Sequence, residues 1–88
     1  MKMMFAIVRD IDDARVIDEL VKQNYRVTRM ASTGGFLRRG NVTLLIGVEG
    51  DNHVDNVIEL LQRTCSPAEP QYHRATIFVV NAEHFEQV

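Results

Sequence analysis

The stretch that divides this chain of 88 residues into two halves is Ser32–Asn41, STGGFLRRGN. Three glycines within ten residues disfavour both a regular helix and a regular strand, so this segment is predicted to be a loop or an irregular hairpin tip. On each side of it the sequence shows the same succession of patterns, an apolar strand, an amphipathic helix and a second strand. The loop therefore separates two βαβ units.

The unit before the loop begins with a continuous apolar run, Met3–Val8, MMFAIV. Its length and its β-branched end predict a strand that is buried on both faces. Apolar residues at helical spacing follow, and Asn24 is expected to end that helix in a left-handed conformation. The alternation of Tyr25–Arg29 is typical of a half-exposed strand.

The unit after the loop repeats this order. Val42–Val48, VTLLIGV, predicts a second apolar strand, and helical spacing resumes from Val54 to Thr64. The connection 66–71, SPAEPQ, carries two prolines that stiffen it. Arg74–Asn81 predicts a third buried strand.

The order βαββαβ predicts an α+β, ferredoxin-like fold, a four-stranded antiparallel sheet with two helices on one face. Residues 1–88 are expected to form a single domain. Strands this apolar would leave the other face of the sheet exposed in a monomer, and large exposed apolar patches mark interfaces. The chain is therefore expected to self-associate.

Composition excludes several classes of protein. The net charge is −2 and the basic residues are scattered, which disfavours nucleic-acid binding. No apolar run approaches the ~20 residues of a membrane span. The apolar run near the N-terminus is too short for a signal peptide, and Arg9 and Asp10 follow it at once. A single cysteine, Cys65, excludes an intrachain disulfide framework. A cytoplasmic location is expected.

The loop is also the strongest candidate for ligand binding. Gly34 and Gly35 allow backbone amides to approach an anion, and Phe36 suits stacking on a base. Four arginines that could meet phosphates fall within 14 residues, namely Arg26, Arg29, Arg38 and Arg39. The alternative is a flexible turn whose Phe36 enters the core.

Two short polar residues bracket the loop, Thr28 and Asn41. A hydroxyl and an amide are the groups that read the edge of an adenine, although spacing alone favours ordinary roles on a strand surface and at a turn.

Other reactive residue types carry weaker signals. The three histidines share no metal-binding spacing with Cys65, so no metal is predicted. Cys65 is interpreted as a small buried apolar residue rather than a nucleophile. Asp10, Asp12 and Asp13 are interpreted as caps of the first helix rather than as a metal cluster.

At STGGFLRRGN the chain resembles the PII-like cyclic di-AMP receptors of Gram-positive bacteria, the PstA or DarA type. Three stretches carry the resemblance and cover most of the chain: MKMMFAIVRDIDD, ELVKQNYRVTRMASTGGFLRRGNVTLLIGV and ATIFVVNAEHFEQV. The resemblance implies a PII-like homotrimer that holds one nucleotide in each cleft between subunits. It implies a ligand rather than a cofactor, cyclic di-AMP, and eight contact residues: Arg26, Thr28, Phe36, Leu37, Asn41, Gly47, Phe78 and Gln87.

The implied function is a signal-transduction protein without catalytic activity, which passes ligand binding to a protein target. One feature departs from the family, because the connection before the last strand is only SPAEPQYH, where relatives have a long glycine-rich loop. Weaker binding is therefore expected. Two alternatives remain open. One is a PII-like trimer with a vestigial or different small-ligand site. The other is an acylphosphatase-like hydrolase, disfavoured because the turn after the first strand lacks glycines and carries carboxylates.

Overall fold

The computed structural model describes residues 1–30, 40–70, 73–84 and 86–88. The elements in these residues are β1 (Lys2–Arg9), α1 (Asp13–Lys22), β2 (Arg26–Met30), β3 (Asn41–Val48), α2 (Asp51–Thr64) and β4 (Ala75–Asn81). The predicted order βαββαβ is confirmed. Most of the loop that separates the two units lies outside the described residues.

The four strands form one sheet in the order β2-β3-β1-β4, and every neighbouring pair is antiparallel. Both helices cover one face of this sheet, so the predicted ferredoxin-like fold is confirmed. Their buried side chains join those of the two central strands in one core. Its fully buried members include Met4 and Ala6 of β1, Leu44 and Ile46 of β3, and Leu20 and Leu60 of the helices.

No helix of the described residues lies on the other face of the sheet, which is called the open face below. Along β1 the residues alternate, so that Met4 is fully buried in the core while Phe5 is only half-buried on the open face. β1 was predicted to be buried on both faces. In a single chain it is fully buried on the face that packs against the helices and only partly buried on the open face.

The last strand corrects a second expectation. β4 was predicted to be buried, but it lies at an edge of the sheet and is mostly exposed. Phe78, Val79 and Val80 are 41–56% exposed. An apolar run therefore predicted the strand correctly but not its burial, because position in the sheet is set by strand order.

The two ends of α1 bear on two predictions, one of which is confirmed and the other only in part. Asn24 has a φ of 66°, and its N–H donates to the Val21 carbonyl while that of Tyr25 donates to Leu20. This arrangement is the Schellman motif, so the predicted left-handed end of the helix is confirmed. At the other end Asp12 occupies the N-cap position, but its side chain makes no capping hydrogen bond, whereas the Asp13 carboxylate accepts one from the Ala14 N–H at 2.8 Å.

The Asp12 carboxylate is instead buried between the β1–α1 turn and the end of α2. It accepts hydrogen bonds from the Ser66 hydroxyl at 2.6 Å, the Ser66 N–H at 3.1 Å and Arg15 at 2.7 Å. Arg9 lies nearby and donates to the Pro67 carbonyl. These residues, called the Asp12 cluster below, fix the start of the connection that precedes β4. The N-cap pattern involves only residues near the start of α1, so it could not reveal that Asp12 bonds to Ser66 at the end of α2.

Candidate ligand-binding face

Five of the eight predicted contact residues share the open face. In an antiparallel ladder, Cα partners point to the same side of the sheet, and side chains alternate along each strand. The neighbours that face the core on β3 are Leu44 and Ile46, so residues of odd number on that strand face away from it. Applied through the register, this rule places the following predicted residues on the open face: Arg26, Thr28, Asn41, Gly47 and Phe78.

Arg26 and Gly47 lie directly opposite each other on β2 and β3. Both line a depression of about 490 Å³ at the end of the sheet where β2 begins, a volume within the usual range for small-molecule sites. Arg26 is exposed and has no ion-pair partner among the residues described. Its guanidinium can therefore meet an anionic ligand.

Packing against the described residues does not require a glycine at position 47. Among them, a Cβ at Gly47 would meet only the tips of Met1, at 3.5 Å, and Met3, at 3.8 Å, which are ordinary contacts with flexible side chains. The absence of a side chain instead keeps the backbone opposite Arg26 accessible, as close approach of a ligand requires.

Thr28 and Asn41 present polar groups on the same face. In the part of the chain that the structure describes, neither the Thr28 hydroxyl nor the Asn41 amide makes a hydrogen bond. Asn41 begins β3 directly after Gly40, whose φ of 91° turns the backbone into the strand. Both polar groups can therefore bond to a ligand.

Of the other three predicted residues, one is described and two are not. Gln87 lies in the exposed tail after β4, and Phe36 and Leu37 lie outside the described residues, as do Arg38 and Arg39. Arg29 faces the helices, where it pairs with Asp13 at 2.6 Å. Of the four arginines that the sequence grouped together, at most three can therefore contact a ligand.

Two residues that the sequence did not single out for binding line the same depression as Arg26. The hydroxyl of Tyr25 lies 3.1 Å from Nδ1 of His53, and the two rings meet edge to face with centroids 5.8 Å apart. They are far apart along the chain, so no local signal connects them. Only the fold, which sets the start of α2 beside the start of β2, makes them neighbours.

The thiol of Cys65 is poorly suited to nucleophilic catalysis. Cys65 is buried, and burial together with the nearby Asp12 carboxylate raises the pKa of its thiol, which keeps it protonated and poorly nucleophilic. Its interpretation as a small buried apolar residue is confirmed. No cluster of metal-binding side chains is present among the described residues.

The turn after β1 has little capacity to hold a phosphate. Burial alone would raise the pKa of Asp12, but the hydrogen bonds from Ser66 and Arg15 and the charge of Arg9 outweigh it, so the pKa lies below its ordinary value. An ionised carboxylate therefore occupies the position where an acylphosphatase-like site would need to receive an anion. None of the helices described is long and apolar enough to cross a bilayer.

The fold is that of a small α+β protein whose open face carries a group of polar residues. Residues 1–70 match the family described as the cyclic-di-AMP receptor, so the chain belongs to that family. It is also similar, at 32% identity, to a solved chain described as a functionally unknown protein from Pediococcus pentosaceus ATCC 25745. That match has a TM-score of 0.77 and covers 99% of this chain and 96% of the other. Family membership implies a binding protein rather than an enzyme.

Proposed function

We propose that this chain is a cytoplasmic, non-enzymatic PII-like signalling protein, one domain over residues 1–88. In this proposal it forms homotrimers, binds cyclic di-AMP or a related nucleotide in the clefts between subunits, and relays binding to a protein target. The observation that carries the proposal is the register of the sheet, which gathers five of the predicted contacts on one face without a helix. Family membership supports the choice of nucleotide.

A site between subunits follows from where these residues lie across the sheet. Thr28, Leu45, Phe5 and Phe78 form one row across β2, β3, β1 and β4. Neighbouring strands are about 4.8 Å apart, so Thr28 and Phe78 stand roughly 14 Å apart at opposite edges. Both can line one pocket if an adjacent copy places its β4 edge beside β2.

Self-association is supported by the apolar character of the open face. Its apolar members come from all four strands and include residues that are half-buried or exposed in one chain: Met3, Phe5, Ile7, Met30, Leu45, Phe78 and Val80. An apolar surface of this extent is unfavourable in water and marks an interface. A second or third copy would cover it.

The chemistry of the face suits a nucleotide. Arg26 and the backbone at Gly47 can meet a phosphodiester, as charge-assisted hydrogen bonds favour. Thr28 and Asn41 can each form a hydrogen bond to a base edge, and Phe78, which is 56% exposed, offers a ring for stacking.

Cyclic di-AMP is expected to bind selectively, but more weakly than in relatives with a long loop before the last strand. The Asp12 cluster holds Ser66 and Pro67 against the β1–α1 turn, so the start of the connection is fixed and only a few residues remain that could cover a ligand. Polar contacts in an open cleft act in a higher effective dielectric and contribute less.

Isothermal titration with cyclic di-AMP, cyclic di-GMP and ATP tests the proposed function. A dissociation constant in the micromolar range for cyclic di-AMP alone is expected, and submicromolar affinity would contradict the argument from the short connection. No heat of binding with millimolar cyclic di-AMP would contradict the function itself and favour the vestigial or different-ligand alternative.

Thr28→Ala and Asn41→Ala should each weaken cyclic di-AMP binding without unfolding the protein. Each substitution removes one hydrogen bond to the base, worth about 0.5–1.5 kcal/mol. Asn52→Ala is the matched control, because Asn52 is exposed in the first turn of α2, away from the open face. Calorimetric affinities equal to the wild type in both site variants would remove the proposed base-reading role.

A further inference from the structure

The hydroxyl of Thr43 is buried and unpaired. Thr43 is 7% exposed, its Oγ1 is shielded from solvent, and it has no hydrogen-bond partner in the structure described. Nearly all buried polar side-chain atoms in native proteins are paired, because an unpaired one loses its hydration without compensation. A buried orphan of this kind therefore calls for a partner that the described residues of one chain do not supply.

Its position brings this hydroxyl into the candidate site. Thr43 is on the open face of β3, two residues after Asn41, and its Cα partner on β2 is Met30, two residues after Thr28. Positions two apart on a strand, and diagonal positions on neighbouring strands, are about 7 Å apart. Thr43 therefore lies between Thr28 and Asn41, about 7 Å from each, whereas Thr28 and Asn41 are roughly 14 Å apart. The Thr43 hydroxyl and the Asn41 amide fall within reach of one nucleobase.

Apolar residues surround the rest of this position. Ile7 is the Cα partner of Thr43 on β1, and Met30 flanks it on β2. Neither side chain offers a strong hydrogen bond, and no partner of the hydroxyl is present among the residues that the structure describes. Met30 is unbranched and 42% exposed, and such a side chain can move aside for a ligand at little cost.

We propose that Thr43 is a further specificity-determining residue, which hydrogen-bonds to the edge of an adenine in the bound nucleotide. This inference rests on the proposed function. Adenine presents an amino donor between two ring-nitrogen acceptors, and the Asn41 amide with the Thr43 hydroxyl can pair with two neighbouring groups of this set. A second polar contact beside Asn41 favours adenine over a base that presents a different order of donors and acceptors.

Thr43→Val tests the proposal, because valine has nearly the same shape and lacks only the hydroxyl. The variant should fold with an unchanged or higher Tm, since the free protein loses no hydrogen bond. Its dissociation constant for cyclic di-AMP, measured by calorimetry, should rise about threefold to tenfold. Thr43→Ser keeps the hydroxyl and should bind within about twofold of the wild type.

Three other results would overturn the inference. Equal affinity of Thr43→Val and the wild type would show that the hydroxyl does not contact the ligand. A lower Tm or a smaller assembly in light scattering would show that its partner is in the protein, within a chain or across a subunit contact. Weakened binding by Thr43→Ser equal to that by Thr43→Val would assign the effect to packing. If the wild type itself binds no cyclic di-AMP, that result contradicts the proposed function and is distinct from the three results above.

Discussion

Phe5→Glu is expected to abolish self-association and, with it, nucleotide binding. Phe5 lies on a central strand of the open face, between Leu45 on β3 and Phe78 on β4. In the proposed trimer this position is covered by another copy, and burying an unpaired carboxylate costs several kcal/mol. Light scattering should then give a mass of one chain, 10.1 kDa, rather than three.

The nucleotide should be lost together with the trimer because the proposed pocket uses both edges of the sheet. Calorimetry on the Phe5→Glu protein is expected to show no binding of cyclic di-AMP at concentrations that saturate the wild type. A monomer that still binds with wild-type affinity would place the site within one chain and contradict the cleft.

Two further variants separate these effects from misfolding and from charge alone. Val80→Glu also adds a charge to the open face, but Val80 is 46% exposed on the edge strand, so its side chain contributes little to folding of one chain. It should give the same loss of mass. Val21→Glu is the matched control, because Val21 is 56% exposed on α1, and it should remain a trimer. A trimeric Val80→Glu protein would contradict the assignment of this face to the interface.

Asp12→Ala is expected to lower the free energy of unfolding by about 2–4 kcal/mol. The substitution removes a fully buried carboxylate that accepts three hydrogen bonds, and it leaves the Ser66 hydroxyl without its 2.6 Å partner. Such a loss is a large share of the stability of a small domain. Urea unfolding followed by circular dichroism, at a fixed protomer concentration, measures it.

Asp10→Ala is the control for this prediction. Asp10 is an exposed carboxylate of the same turn, and its N–H, which donates to the Gly40 carbonyl, is retained in the variant. Surface substitutions of this kind change stability by about 0.5 kcal/mol or less. Equal losses in the two variants would show that the Asp12 cluster contributes nothing specific.

The same carboxylate gives the stability a defined pH dependence. The pKa of Asp12 is lower in the folded protein than its ordinary value, so its contribution is complete above about pH 4 and is lost as pH falls through the folded pKa. Asp12→Asn lacks this group. The difference in unfolding free energy between wild type and Asp12→Asn should therefore be constant from pH 5 to 7 and shrink below about pH 4. A constant difference at all pH values would exclude the ionised carboxylate as its cause.

Local sequence determined the elements and their order. Apolar runs, helical spacing and Asn24 after α1 depend on neighbours within a few residues, and the structure has the helices and strands where these patterns place them. The loop motif and the flanking strands also carried the resemblance to the cyclic di-AMP receptors, which the match over residues 1–70 confirms. The family could be recognised because its motif is continuous along the chain.

Relations between distant residues were decided only by the tertiary structure. Asp12 was expected to cap a helix, yet it bonds to Ser66, 54 residues away. Arg29 was grouped with ligand-binding arginines, yet it faces Asp13. Both outcomes depend on which elements become neighbours, and short sequence patterns do not contain that information.

The open face shows the same division. The sequence named Arg26, Thr28, Asn41, Gly47 and Phe78 one by one, but only the register of β2, β3, β1 and β4 puts them on one face. The register also places the Thr43 hydroxyl on this face, where it has no hydrogen-bond partner among the described residues. The sequence pattern VTLLIGV had indicated only an apolar strand. A strand sequence specifies alternation between two faces, whereas the pairing of strands decides which residues from distant segments meet there.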